Sequence, residues 1–252
     1  MDKPLILIGG MPRSGTTLLS RLTSEALNVP FAPETHYFTA AYDKHGTLCW
    51  NQLPDAVKEN PKLAAAYREI RDQPKGRPAF RKLLSCLIGD SDIIGEKTPA
   101  HLTVFSDLLK NDSKIYCVVI VRDFFDVIES LSNVPWNSRP WPRNLIRCIK
   151  YWRKTYQLKR QHPQKCTVIR YRDLCEKTNE IMDLISTRLP EGKETSMRSE
   201  LFDPEKEHWK RNASQAPSKR SHPVNIRTLP RFILARICFI ACTKIRPIEF
   251  DQ

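Results

Sequence analysis

The first residues able to do chemistry lie in the stretch GGMPRSGTTLL, residues 9 to 19, directly behind the apolar run Leu5–Ile8. Gly10 and Gly15 stand five positions apart, the spacing of a phosphate-binding loop, and Thr16 and Thr17 follow at once. A helix starting near Gly15 would aim the amides of Gly15, Thr16 and Thr17, with the positive end of its dipole, at whatever the turn encloses. The glycines let the backbone close around an anion, and the two threonines add hydroxyl donors. A nucleoside triphosphatase loop requires Lys after the second glycine and then Ser or Thr for magnesium. Thr16 occupies the lysine position, so the cation of this loop is Arg13, placed to lean over a distal phosphate oxygen.

The elements that must hold this turn can be read from hydrophobic periodicity. Continuous apolar runs at Leu5–Ile8, Ile93–Ile94, Ile115–Val121 and Thr167–Ile169 have the character of strands buried on both faces, which implies a parallel sheet. Between and after them the pattern predicts helices over Thr16–Leu27, Pro54–Ile70, Phe80–Ile88, His101–Leu109, Phe124–Leu131, Leu145–Arg160, Asn179–Arg188 and Leu229–Ile245. The expected fold is α/β: a P-loop-like, doubly wound, mainly parallel β-sheet flanked by helices, as one domain over residues 1–252. Ligands of such sheets bind beyond the carboxyl ends of the strands, where the glycine turn lies. Asn133–Arg143 and Glu191–Pro223 read as irregular segments.

The chain carries a formal net charge of +13, which calls for an anionic partner without choosing one. Its eight cysteines form no C-x-x-C pair and no Cys/His ligand set, so no metal site is expected. Reduced thiols, with no signal-peptide pattern and no apolar run of spanning length, give a cytoplasmic protein as the expectation.

Pro12–Thr17, PRSGTT, resembles the 5′-phosphosulfate loop P-[KR]-[ST]-G-T-T of sulfotransferases that use 3′-phosphoadenosine 5′-phosphosulfate (PAPS). That family carries a second signature for the nucleotide's 3′-phosphate: an Arg at a strand end and a Ser eight positions on. IYCVVIVRDFFDVIES supplies Arg122 and Ser130 in that order and context, with Asp123 where the family usually has Pro. The resemblance is nearest to the Golgi carbohydrate and tyrosylprotein branches and their bacterial relatives. It implies PAPS as sulfuryl donor, PAP as product, and a nucleotide site made of Arg13, Ser14, Gly15, Thr16, Thr17, Arg122 and Ser130. Arg211 and Ser214 in the basic late segment are added as residues of a loop that covers the 3′-phosphate and adenine.

The resemblance also implies the reaction: in-line transfer to a hydroxyl of a sugar, lipid, peptide or secondary metabolite. Glu34 in APETHYF takes the place of the general base, its carboxyl raised by partial burial beside Tyr37 and Phe38. Lys97 in GEKTP, after the strand Ile93–Gly95, and Arg13 would stabilise charge on the bridging oxygen. His36 and His101 are the rival bases, while Pro99 stands where the cytosolic branch has its histidine. Tyr171 is read as packing at a strand end. Two other functions compete: a P-loop kinase of a small metabolite using ATP and magnesium, and a basic nucleic-acid-binding protein without enzymatic activity. Thr16 argues against the first, and the lack of any recognised motif against the second, so no nucleic acid is expected as partner. The last helix, rich in Arg and Lys, is a candidate for peripheral membrane contact.

Overall fold

In the computed structural model, residues 3–40, 48–89, 91–189, 222–248 and 250–251 are described. Five parallel strands form one sheet: β1 (Leu5–Gly10), β2 (Phe31–Ala32), β3 (Ile94–Lys97), β4 (Ile115–Val121) and β5 (Cys166–Arg170). Their order across the sheet is β2-β3-β1-β4-β5. The first strand therefore lies in the middle, with Leu5 beside both Ile94 and Ile115. This is the doubly wound α/β architecture that the alternating runs predict.

Alternation along the strands divides the core in two. Leu5 and Leu7 of β1, Cys117 and Val119 of β4, and Val168 of β5 face one layer. That layer is built from α2 (Asp55–Lys58), α3 (Pro61–Glu69), α4 (Arg77–Ile88), α5 (Phe105–Asn111), α6 (Phe124–Ser132), α7 (Trp141–Gln161) and α10 (Leu229–Ile245). Ile6 and Ile8, with Val118, Ile120 and Ile169, face α1 (Thr16–Leu27) and α9 (Thr178–Thr187). The short α8 (Tyr171–Glu176) follows β5 directly.

Several boundaries depart from the periodicity. The helix expected over Pro54–Ile70 is two helices, because Asn60 caps a new start, accepting from the Leu63 amide at 3.1 Å, and Pro61 opens it. The stretch expected as one helix over His101–Leu109 begins as a 3-10 turn, Pro99–Thr103, before α5. The end of the Asn133–Arg143 segment is helical from Trp141, again with a proline in the first turn. Strand β3 runs on to Lys97, two residues beyond the expected Gly95, because Glu96 and Lys97 are held as strongly buried polar residues that no hydrophobic pattern signals. Of Glu191–Pro223, residues 191–221 lie outside the described residues.

The outer edge of the sheet is tied down by the carboxyl-terminal tail. Asp251 donates its amide to the Val168 carbonyl at 3.0 Å and accepts from the Val168 amide at 2.8 Å, imitating a further strand. Its carboxylate also meets Lys159 Nζ at 2.8 Å and Arg188 at 2.6 Å. Replacing Asp251 by Ala takes the carboxylate from the largely buried Lys159 ammonium and the acceptor from the Val168 amide. The expected loss is about 2–4 kcal/mol of unfolding free energy, read from urea denaturation.

Candidate active site

The glycine turn forms as its sequence implies. Gly10 has φ 152° and Gly15, the residue before α1, has φ 107°, both in the left-handed half of conformational space. A Cβ on Gly15 would lie 2.6 Å from the Tyr171 ring, and one on Gly10 would lie 2.6 Å from the Ile120 carbonyl oxygen. The turn is thus pressed between β4 and α8, and only glycines fit there. No side chain caps α1, and its first turn holds no acid. Ser14 is fully buried, and its hydroxyl has no hydrogen-bond partner among the described residues. An orphaned hydroxyl of this kind is rare in a folded chain and fits an incoming phosphate oxygen.

Arg13 also takes a positive φ, 74°, which a non-glycine residue adopts at some cost. That geometry turns its side chain toward α6, where Nε donates to Ser130 Oγ at 3.1 Å. Burial and the nearby Arg122 guanidinium both lower the Arg13 pKa, while Glu34 acts in the opposite sense. Two like charges are therefore held close together in a half-buried cleft. Arg122, the residue after β4, stacks its guanidinium 4.3 Å from the centroid of the Tyr171 ring and lies 3.7 Å from Asp126. Asp123, standing where proline is usual, caps α6 by accepting from the Phe125 amide at 2.9 Å. It thereby fixes the start of the helix that carries Ser130. Beside Arg122 lies a small hollow of about 20 Å³ lined by Met11, Phe124, Tyr151, Trp152 and Thr155.

Strand alternation sends Glu96 and Lys97 to opposite sides of β3. Lys97, 1% exposed, donates from Nζ to Glu34 Oε1 at 2.5 Å and to Thr17 Oγ1 at 3.1 Å. It is thus paired with Glu34 inside the protein, and not with its sequence neighbour Glu96 at the surface. His36 Nε2 stands 3.5 Å from Glu34 Oε2.

Glu96 is fully buried and organises the loop that bears Glu34. Its Oε1 accepts from Thr35 Oγ1 at 2.9 Å and from Thr98 Oγ1 at 2.5 Å, and its Oε2 lies 3.1 Å from His101 Nδ1. The Thr98 hydroxyl also accepts the His36 amide, and His101 Nε2 accepts the Phe38 amide at 3.2 Å. Accepting at Nε2 fixes the Nδ1–H tautomer, so both nitrogens of His101 are committed. With its side chain wholly buried, His101 clamps the loop through both ring nitrogens. From the other side the Tyr67 hydroxyl donates to the Thr35 carbonyl at 2.6 Å, and the Tyr37 hydroxyl donates to the Gly76 carbonyl at 2.9 Å. Sequence reading missed this clamp, although an acid, a threonine and a histidine within Glu96–His101 were its visible trace.

Among the residues named from sequence, the structure brings Arg13, Ser14, Gly15, Thr16, Thr17, Glu34, Lys97, Arg122 and Ser130 to one end of the sheet, linked by the contacts above. Arg211 and Ser214 lie outside the described residues. Tyr171 does pack at a strand end, but it does so between Gly15 and the Arg122 guanidinium, inside the site. Close to Arg122, burial pushes the Cys148 thiol up to about 12.

A parallel α/β sheet, a lysine-free glycine turn and an Arg–Ser pair at the next strand define a nucleotide-dependent transferase of the P-loop type. The sulfotransferase family profile matches residues 4–190, and the chain belongs to that family, whose members are PAPS-dependent enzymes. Among solved structures it resembles the sulfotransferase domain of the Synechococcus olefin synthase, with TM-score 0.57 and 15% identity over 100% of this chain and 98% of that one. It is also similar to a sulfotransferase from Alicyclobacillus acidocaldarius, with TM-score 0.55 and 12% identity over 99% and 98% of the two chains. A sulfotransferase from Mycobacterium avium aligns with TM-score 0.54 and 13% identity over 99% of this chain and 78% of the other. At these identities the likeness establishes the fold. No curated protein sequence matches the chain.

The buried carboxylate has a consequence for acid stability. Burial opposes ionisation of Glu96, but the His101 imidazole and the Thr98 and Thr35 hydroxyls outweigh it and hold the carboxyl below its ordinary 4.5. A depressed folded value adds stability above the unfolded value, and that stability is lost as pH falls through the folded one. Glu96→Gln is therefore expected to melt below the native protein at neutral pH, by roughly 2 kcal/mol or more. The gap should shrink as melting is repeated at pH values below about 4.5. An unchanged gap in acid would show that the ionised form is not what the network stabilises.

Proposed function

We propose that the chain transfers the sulfuryl group of PAPS to a hydroxyl of a sugar, lipid, peptide or secondary metabolite, with Glu34 as general base. The observation that carries this reading is the chain of contacts Glu34–Lys97–Thr17, which joins a carboxylate to the phosphate-binding turn through one buried ammonium. When bound, the donor supplies an activated sulfuryl group on a phosphate leaving group. The orphaned Ser14 hydroxyl, the uncapped start of α1 and the crowded arginines fit such a ligand.

In this reading the amides and hydroxyls of Ser14, Gly15, Thr16 and Thr17 hold the 5′ end of the nucleotide. Arg122 and Ser130 hold the 3′-phosphate, and Arg211 and Ser214 cover it. Arg13 touches Ser130 and belongs to the glycine turn, so it serves both ends. Glu34 accepts the acceptor's hydroxyl proton at its carboxylate, which Lys97 contacts. Lys97 and Arg13 place positive charge where the bridging oxygen gains negative charge, without reorganisation at the moment of transfer. His36 borders Glu34 and has a ring nitrogen within reach of it, which makes it a relay for the proton and not its first acceptor. A cytoplasmic setting suits the eight cysteines, all of them free.

Calorimetric titration with adenosine 3′,5′-bisphosphate tests the nucleotide end. Native protein should bind it without added magnesium and in preference to ATP, and Arg122→Ala should weaken binding on the order of 100-fold. Preference for ATP with magnesium would assign the site to a kinase. At the catalytic end, Lys97→Ala should cut turnover on the order of 100-fold or more while bisphosphate binding changes far less. Glu34→Gln should remove turnover and leave nucleotide affinity nearly intact. Equal losses of affinity and turnover in Glu34→Gln would reject it as the base.

A further inference from the structure

Helix α10 is apolar on two sides. Phe232, Ala235, Phe239 and Cys242 pack against α6 and α7, where Phe232 meets Phe125 and Phe239 meets both Phe124 and Trp152. A second stripe, Leu229, Ile233, Ile237 and Ile240, returns every third or fourth residue on the solvent side, with Ile226 just ahead of the helix in the same register. These five are exposed, Ile226 by 88% and Ile237 by 58%. A helix apolar all round is ordinarily covered on every side, so an outer stripe of this length calls for a partner surface.

Charge selects the partner. From His222 to Ile248 the sequence holds Arg227, Arg231, Arg236, Lys244 and Arg246 and no Asp or Glu. Arg236 reaches back to Asp123 at 2.6 Å, whereas Arg227 and Lys244 are exposed at the two ends of the stripe. A second copy of the chain meeting this face through a two-fold axis would bring these cations against one another with no acid on the segment to offset them. An anionic bilayer surface satisfies both features: isoleucines and leucine enter the headgroup and acyl boundary, while the cations reach the lipid phosphates and serines. No helix among the described residues is long and apolar enough to cross a membrane, so the contact is one of lying on the surface. We propose that the outer face of α10, Ile226 to Ile240 with Arg227 and Lys244 at its ends, docks the protein on anionic lipid bilayers.

Co-sedimentation of the full chain with vesicles tests this. Binding is expected to phosphatidylcholine vesicles containing phosphatidylserine, weakly if at all to phosphatidylcholine alone, and less as salt is raised. Ile233→Glu with Ile237→Glu should lower partitioning at least about 10-fold, and Arg227→Glu with Lys244→Glu should do likewise. All four side chains point to solvent, so melting temperature and bisphosphate binding should match those of the native protein. The proposal fails if anionic vesicles do not bind the chain, or if the isoleucine variant binds them as well as the native protein does. It fails equally if sedimentation velocity finds a dimer that the isoleucine variant dissolves, which would make the stripe a subunit interface.

Discussion

The structure depends on keeping two guanidinium groups, Arg13 and Arg122, side by side in a half-buried cleft. Like charges so placed repel, and burial deepens the penalty. The fold meets that cost with rigid surroundings. Arg122 ends the strand next to β1, Arg13 sits in the turn after β1, and the register of β1 with β4 brings the two ends level. Tyr171, at the start of α8, fills the space beside Gly15 and offers its ring face to Arg122. Each neighbour is an element end whose position the sheet already determines. Positive charge so placed suits a ligand carrying phosphates at two ends.

The other half of the site rests on two adjacent residues of β3. Pleating sends the Glu96 carboxylate into the layer beneath the Glu34 loop and the Lys97 ammonium toward α1, so four residues of strand serve two purposes. Glu96 gathers Thr35, Thr98 and His101, and through them fixes the amides of His36 and Phe38. Lys97 then reaches a carboxylate whose backbone cannot drift. The buried acid thereby holds the Glu34–Lys97 contact in place from beneath the loop.

How much of this was legible in the sequence varies with the length scale of the signal. The parallel sheet was readable because strands buried on both faces leave continuous β-branched runs, and helices α1 and α10 were readable to the residue because a glycine or a proline marks their starts. The break inside Pro54–Ile70 was missed because an Asn-Pro cap competes with an unbroken apolar period, and here the cap wins. The glycine turn and the Arg122–Ser130 pair stood out as local patterns, since short-range geometry sets them. The Glu96 clamp and the contact between Arg13 and Ser130 were not readable, because each joins residues far apart in the chain whose meeting depends on the completed sheet. Residue type announces a buried acid only after burial is known.

The site gathers charges of both signs. Arg13, Arg122 and Lys97 gather with Glu34 and Asp126 at this end of the sheet. Lys97 and Glu34 are in direct contact, Arg122 lies 3.7 Å from Asp126, and Arg13 donates to the Ser130 hydroxyl. If Glu34 is the base proposed above, Lys97 is the cation that touches it while Arg122 stands at the next strand end, so a change at Arg122 acts first on nucleotide affinity and a change in the Lys97–Glu34 pair acts first on turnover.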